Sequence, residues 1–195
     1  MLSKRLQHKN IILASGSPRR QFFFKELGLD FTIQLKPIDE VFPEHYKGAE
    51  ITDYLAQLKA AAFKELQEND ILITSDTIVW FQDKALNKPE DKEEAFEMIS
   101  SLSGHTHEVI TSVCFTSPHK QVVIHDTTKV TFKTLTAEEI HYYIDNFQPF
   151  DKAGGYGVQE WFGYIAVTRL EGSYFNVMGL PTHKVYETLM QLADS

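Results

Sequence analysis

The sequence predicts an α/β fold, in which short apolar strands alternate with helices that carry one apolar face. Three observations predict it. Residues 11–14, Ile-Ile-Leu-Ala, form an apolar run that a Ser-Gly-Ser turn cuts off, and a helical pattern opens at once at Pro18. Residues 49–69 place Ile51, Tyr54, Leu55, Leu58, Ala62 and Leu66 at spacings of three and four, one apolar stripe of a long helix. After Asn69-Asp70, the run Ile71 to Ser75 reads as a strand buried on both faces.

The remaining elements follow in order. Ser17 suits a helix N-cap and Pro18 the first helical position, where its missing N–H costs nothing. That helix runs through Gln21, Phe22 and Leu27 and ends at Gly28. Phe31 to Leu35 alternates as a second strand. Pro37, Asp39, Glu40, Pro43 and Glu44 make residues 36–44 a loop. Asp76-Thr77 sits at or near the end of the strand 71–75, and Ile78 to Phe81 continues as extended chain. Gln82-Asp83-Lys84 is a hairpin-like turn, and Pro89 restricts Lys88 to extended geometry.

A helix over 91–102 follows, with Ala95, Met98, Ile99 and Leu102 on one face, then strands over 107–116 and 120–132. Thr136-x-x-Glu139 is a capping box for a helix to about Asn146. Residues 151–163 hold four glycines. Tyr164 to Leu170 reads as a strand, 171–173 as a turn, and Tyr174 to Val177 as the returning strand. The last helix opens at Gly179-Leu180-Pro181 and turns Val185, Leu189 and Leu192 inward.

The 195 residues hold one domain with a real core, spanning 1–195, with no internal repeat or low-complexity linker. A net charge of −8 argues against a general nucleic-acid binder, while leaving room for a local basic pocket. The single cysteine, Cys114, excludes an intrachain disulfide and suits the cytoplasm. No apolar run approaches membrane-spanning length, and the apolar run near the start is too short for a signal-peptide core. The eight histidines show no zinc-ligand spacing.

Several stretches carry candidate chemistry. A strand turning straight into a helix N-terminus aims backbone N–H groups and a positive dipole end at one point. Ser15, Ser17, Arg19 and Arg20 surround that point and suit phosphate oxygens, although an ordinary capped helix start has the same residues. Asp76 lies between two apolar runs, and a buried carboxylate must be hydrogen-bonded, paired or functional. Asp39 and Glu40 are either metal ligands or solvated loop acids. Lys59 either binds an anion or covers its apolar neighbours with its stem. The glycines of 151–163 allow close approach to a ligand or make a surface loop, and Gln159 is able to read a base edge.

Taken together, Ser15-Gly16-Ser17-Pro18-Arg19-Arg20, Ser75-Asp76-Thr77, Lys88-Pro89, Leu102-Ser103-Gly104 and Asp151 to Gln159 occur in the order seen in Maf proteins. Gly172-Ser173-Tyr174 and Val177 to Pro181 are similar to that family too, so the resemblance covers residues 10 to 190. It implies a nucleoside triphosphate pyrophosphatase that cleaves between the α and β phosphates with a divalent metal, Mg²⁺ or Mn²⁺. The fold it implies is α/β, a mixed, elongated twisted sheet flanked by helices. Two lobes around a cleft, akin to the inosine-triphosphatase group, and a homodimer are implied with it. No nucleic acid or membrane partner is implied.

Residue by residue, Asp76 matches the proton acceptor, Lys59 and Lys88 the phosphate-pocket lysines, and Glu40 an acid near the metal. Asp76 and Glu40 are therefore the candidate metal ligands. Arg19, Thr77 and Gln159 match the positions tied to substrate choice. Tyr156-Gly157-Val158-Gln159 is similar to the version found in the branch acting on dTTP and UTP. Glu160 and Trp161 depart from the glycine and small residue that many members carry after the glutamine. The alternatives are a nucleotide-sensing regulator of septum formation without catalysis and a pyrophosphatase for other modified nucleotides such as 7-methyl-GTP.

Overall fold

Period-two alternation and helix caps account for most of the architecture, which a computed structural model describes for residues 2–193. A seven-stranded mixed sheet has the order β2-β1-β3-β5-β6-β7, with β4 paired to β3. Its strands are β1 (Asn10–Leu13), β2 (Phe31–Ile33), β3 (Asp70–Phe81), β4 (Lys84–Leu86), β5 (Thr106–Thr116), β6 (Gln121–Phe132) and β7 (Val167–Glu171). The parallel pairs β1–β2 and β1–β3 set Ile12 beside Thr32 and Leu72. The pairs β3–β4 and β6–β7 are antiparallel. The chain divides into two units, Met1–Asp76 with Thr111–Asp126 and Gly179–Ser195, and Thr77–Ile110 with Thr127–Met178.

In the first unit, the helices are α1 (Leu2–Arg5), α2 (Pro18–Glu26), α3 (Ala49–Ala61) and α8 (Thr182–Ala193). Ala56 and Ala60 of α3 pack with Ile12, Leu72 and Cys114 in one buried cluster. Two alanines let the helix approach the strands closely, and Thr74 Oγ1 donates to Ala56 O at 2.6 Å. α2 ends as expected at Gly28, whose φ of 70° is left-handed. Gly28 N–H bonds to Lys25 O and Leu29 N–H to Phe24 O, the paired bonds of a Schellman motif. Phe23 and Phe24 are buried, while Phe22 faces out at 54% exposure. α1 and the residue after it bury Leu2 and Leu6.

In the second unit, α4 (Lys92–Leu102), α5 (Ala137–Phe147) and α6 (Trp161–Ala166) share a core with β-strand residues Val79, Val109, Val130 and Phe132. Tyr143 and Phe162 are completely buried, and each such aromatic side chain contributes about 2–3 kcal/mol of apolar burial. Asp91 caps α4 by accepting from Glu94 N, and both bonds of the predicted capping box are present at Thr136 and Glu139. Gln82 and Asp83 both have positive φ, 49° and 59°, as a two-residue turn between β3 and β4 requires.

Five expectations are corrected. The helix stripe expected to residue 69 stops at Ala61. Beyond it Phe63 and Leu66 pack on the first unit's cluster from irregular chain, and Asp70 accepts from Gln67 N. Asp76 is not at a strand end, because β3 runs unbroken from Asp70 to Phe81. The strand expected over 164–170 begins only at Val167. Residues 161–166 are α6, which buries Phe162 and Ala166 one helical turn apart. The strand expected over 174–177 is a short helix, α7 (Tyr174–Val177), capped by Ser173, whose Oγ accepts from Asn176 N. At α2, Ser17 stands in the cap position but its side chain makes no cap bond; Ser15 Oγ accepts Ser17 N–H instead.

Candidate active site

The centre of the site follows from two periodicities meeting. Alternation along β3 puts Leu72, Thr74 and Asp76 on one face. The helical repeat of α3 puts Ala56, Lys59 and Ala60 on one face. Leu72 meets the alanines and Thr74 meets the Ala56 carbonyl, so the next pair in line is Asp76 with Lys59. Lys59 Nζ donates to Asp76 Oδ1 at 2.7 Å. The Asp76 side chain is 9% exposed and that of Lys59 18%. Lys59 Nζ also lies 3.1 Å from Glu40 Oε1, on the exposed loop after β2. One ammonium thus joins a buried carboxylate and an exposed one.

The opening of α2 reaches the same strand. Arg20 Nε donates to Gly179 O at 2.9 Å, and its Nη1 donates to Ser75 O at 3.2 Å and Ser15 Oγ at 3.4 Å. Gln21 Nε2 donates to Ser15 O at 3.2 Å. Burial lowers the Arg20 guanidinium to about 10, offset in part by Asp76 and Glu40, so it stays charged at neutral pH. Ser15, Arg20, Glu40, Lys59 and Asp76 therefore gather in the first unit. Arg19 stands beside Arg20 near enough to lower its pKa, and the Ser17 backbone is folded onto Ser15.

Thr77, Lys88 and Gln159 belong to the second unit. Thr77 is half-buried and follows Asp76 on the opposite face of β3. Lys88 is exposed, just ahead of the buried Pro89. The glycine-rich loop comes to the Lys88 segment: Gly154 N–H donates to Asn87 O at 2.9 Å, and a Cβ on Gly155 would touch Pro89. Gly154 has a φ of 70° and no room for a side chain, since a Cβ would lie 2.7 Å from Val79 Cγ2. Gln159 is half-buried in the turn that follows.

That turn is anchored by residues the sequence reading passed over. Tyr143 OH accepts Gly157 N–H at 2.9 Å and donates to Glu160 Oε2 at 2.5 Å. Lys152 Nζ lies 3.0 Å from Glu160 Oε1 and 2.6 Å from Asp151 Oδ1. Burial and the neighbouring Glu160 carboxylate push the Tyr143 hydroxyl well above its usual range, so it is a fixed proton donor. The one available signal was Glu160 itself, noted only as an unusual residue after Gln159.

The donor set fits a hard divalent cation in part. Asp76 and Glu40 supply carboxylate oxygens around one cationic point, the Lys59 ammonium. Among the described residues no three His, Cys, Asp or Glu side chains gather to hold a metal. Two carboxylates completed by phosphate oxygens and water is the coordination that suits Mg²⁺.

A family model described as Maf-like protein matches residues 10–192. The chain is 62% identical to a dTTP/UTP pyrophosphatase of Flavobacterium johnsoniae, over 98% of this chain and 100% of that one. It is 59% identical to a dTTP/UTP pyrophosphatase of Christiangramia forsetii, over 100% of both chains. For that of Bacteroides thetaiotaomicron the identity is 48%, over 96% of this chain and 98% of the other. Among solved structures, a HAM1 protein from Coxiella burnetii aligns at 12% identity with a TM-score of 0.49, over 94% of this chain and 99% of that one.

Proposed function

Because the chain belongs to the Maf-like protein family, we propose that it is a nucleoside triphosphate pyrophosphatase that converts dTTP and UTP to the monophosphate and pyrophosphate. The observation that carries the reading is the buried Asp76 carboxylate held through one oxygen by Lys59. With Oδ1 held there, we assign Oδ2 to the attacking water. Asp76 takes the water's proton as the new oxygen–phosphorus bond forms at the α phosphate. The bond from the α phosphorus to the bridging oxygen breaks, and pyrophosphate leaves with that oxygen.

The other residues take the roles their chemistry suits. Ser15, Ser17, Arg19, Arg20, Lys59 and Lys88 bind phosphate oxygens by charge-assisted hydrogen bonds. Arg20 does so from a guanidinium already braced on Ser75 O and Gly179 O, which also sets the backbone ahead of Asp76. Gln159 pairs with the edge of a pyrimidine, and Thr77 and Arg19 help choose the nucleotide. Asp76 and Glu40 would hold Mg²⁺ or Mn²⁺ together with the triphosphate. When bound, the ion neutralises charge on the phosphates and the leaving pyrophosphate. The reading extends to a homodimer in the cytoplasm. Among the described residues, no helix is long and apolar enough to cross a membrane.

The test is a panel of nucleoside triphosphates incubated with purified protein and Mg²⁺ or Mn²⁺, with pyrophosphate and monophosphate measured. dTTP and UTP turn over fastest if the reading holds. No turnover of any triphosphate overturns the reaction, and preference for a purine overturns the role of Gln159.

A further inference from the structure

Residues 157–160, Gly-Val-Gln-Glu, form a turn closed by Glu160 N–H donating to Gly157 O at 3.2 Å, with Gln159 at its third position. Both ends of this turn go to one atom. The first residue gives its N–H to Tyr143 OH, and the last receives that hydroxyl's proton through Glu160 Oε2. Tyr143 is itself fully buried on α5, so the hydroxyl is a fixed point. The second oxygen of Glu160 meets Lys152 Nζ, and Lys152 is only 7% exposed. A buried ammonium needs a partner, and Glu160 shares that duty with Asp151.

The surrounding backbone leaves this arrangement no slack. A Cβ on Gly157 would lie 2.8 Å from Glu160 Cδ and 3.0 Å from Lys152 Cε. A Cβ on Gly163 would overlap the Val158 carbonyl, so α6 packs directly onto the turn. The hydrogen bond from Gly163 N–H to Glu160 O starts that helix where the turn ends. The side-chain ties of the turn described above run to Tyr143 and Lys152, and Glu160 is the residue that joins them.

We propose that Tyr143, Glu160 and Lys152 are positioning residues that hold the 157–160 turn in place, and that they set nucleotide preference through Gln159 without touching the nucleotide. This rests on the reading above that Gln159 faces the base. Glu160 stands where many members carry a glycine, and its side chain is what braces the turn here.

Amide hydrogen exchange in the free protein tests the brace without reference to activity. Tyr143→Phe keeps the ring and removes the shared hydroxyl, and the Gly157 amide should then exchange about tenfold faster or more. Kinetics test the consequence. In the same variant KM for dTTP should rise about tenfold while KM for dGTP and kcat for both move less than about threefold, so discrimination falls. Glu160→Gln retains an acceptor for the hydroxyl, and should keep Gly157 protected and most of the preference. Should Tyr143→Phe lose its fold, Glu160→Ala, whose side chain is 22% exposed, makes the same test. Unchanged Gly157 exchange overturns the brace. Faster exchange with dTTP and dGTP weakened equally overturns the link to preference. If the wild-type protein hydrolyses no triphosphate, the proposed function fails, while the exchange measurement still decides the brace.

Discussion

Lys59 Nζ stands 2.7 Å from Asp76 Oδ1, and the same nitrogen is 3.1 Å from Glu40 Oε1. A helix and a strand meet at this pair, and an exposed loop is drawn to it. The pair holds a nearly buried carboxylate in one orientation, with its charge matched by the ammonium beside it.

Asp76→Asn keeps the size of the side chain and an oxygen for Lys59, and removes the proposed base. Turnover should fall about 10²–10⁴-fold with the circular dichroism spectrum unchanged. Normal turnover in a folded Asp76→Asn protein removes Asp76 from that role.

Lys59→Met removes the ammonium that Asp76 and Glu40 share, leaving Arg20 acting on both. The protein should lose about 2 kcal/mol of stability, read from urea unfolding; the partial exposure of Lys59 and Glu40 keeps the loss below that of a fully buried pair. With the ammonium gone, Mg²⁺ or Mn²⁺ alone should raise the melting temperature of the variant more than that of the wild type. An equal or smaller rise in the variant argues that the two carboxylates do not share a cation.

Gly163→Ala separates local preference from packing. Inside an isolated helix the change would stabilise by about 1 kcal/mol. Here the new methyl group overlaps the Val158 carbonyl, so the protein should instead lose about 3 kcal/mol, measured by urea unfolding. A stabilised variant would show that α6 is not pressed onto the turn.

His107 gives the stability a pH dependence of known sign. Its Nε2 meets Tyr156 OH at 2.7 Å, and burial pushes the imidazole from 6.5 down to about 3. The unfolded chain takes up a proton below about 6.5 and the folded one does not, so this contribution is complete above 6.5 and is lost as the pH falls towards 3. Between those limits it removes about 1.4 kcal/mol per pH unit. His107→Gln carries no titrating ring, so its unfolding free energy should fall less steeply from pH 6.5 to 5. Parallel slopes for the two proteins would contradict a neutral buried His107.

Much of this was readable along the chain. The Ser-Gly-Ser-Pro start of α2, its Gly28 end, the capping box at Thr136 and the strand before Asp76 all rest on residues within a few positions of one another. The failures came where packing overrode a local pattern. Tyr164 and Ile165 have strand-forming side chains, yet Gly163 N–H bonded to Glu160 O and the burial of Phe162 and Ala166 make this segment helical. Likewise the stripe after Ala61 marks apolar contacts made by irregular chain.

The order of motifs placed the chain in its family and named Asp76 and Gln159, which stand inside short patterns whose chemistry is local, while Lys59 was named by its match to a family lysine. Folding in three dimensions assigned their partners. Arg20 reaches the carbonyls of Ser75 and Gly179, the latter 159 positions away, and Tyr143 holds both ends of the Gln159 turn from 14 and 17 positions away. No periodicity announces such bonds. A backbone carbonyl or a buried hydroxyl looks the same at every position of the sequence, and only the packing of β3, α2 and α5 decides which one a side chain can reach.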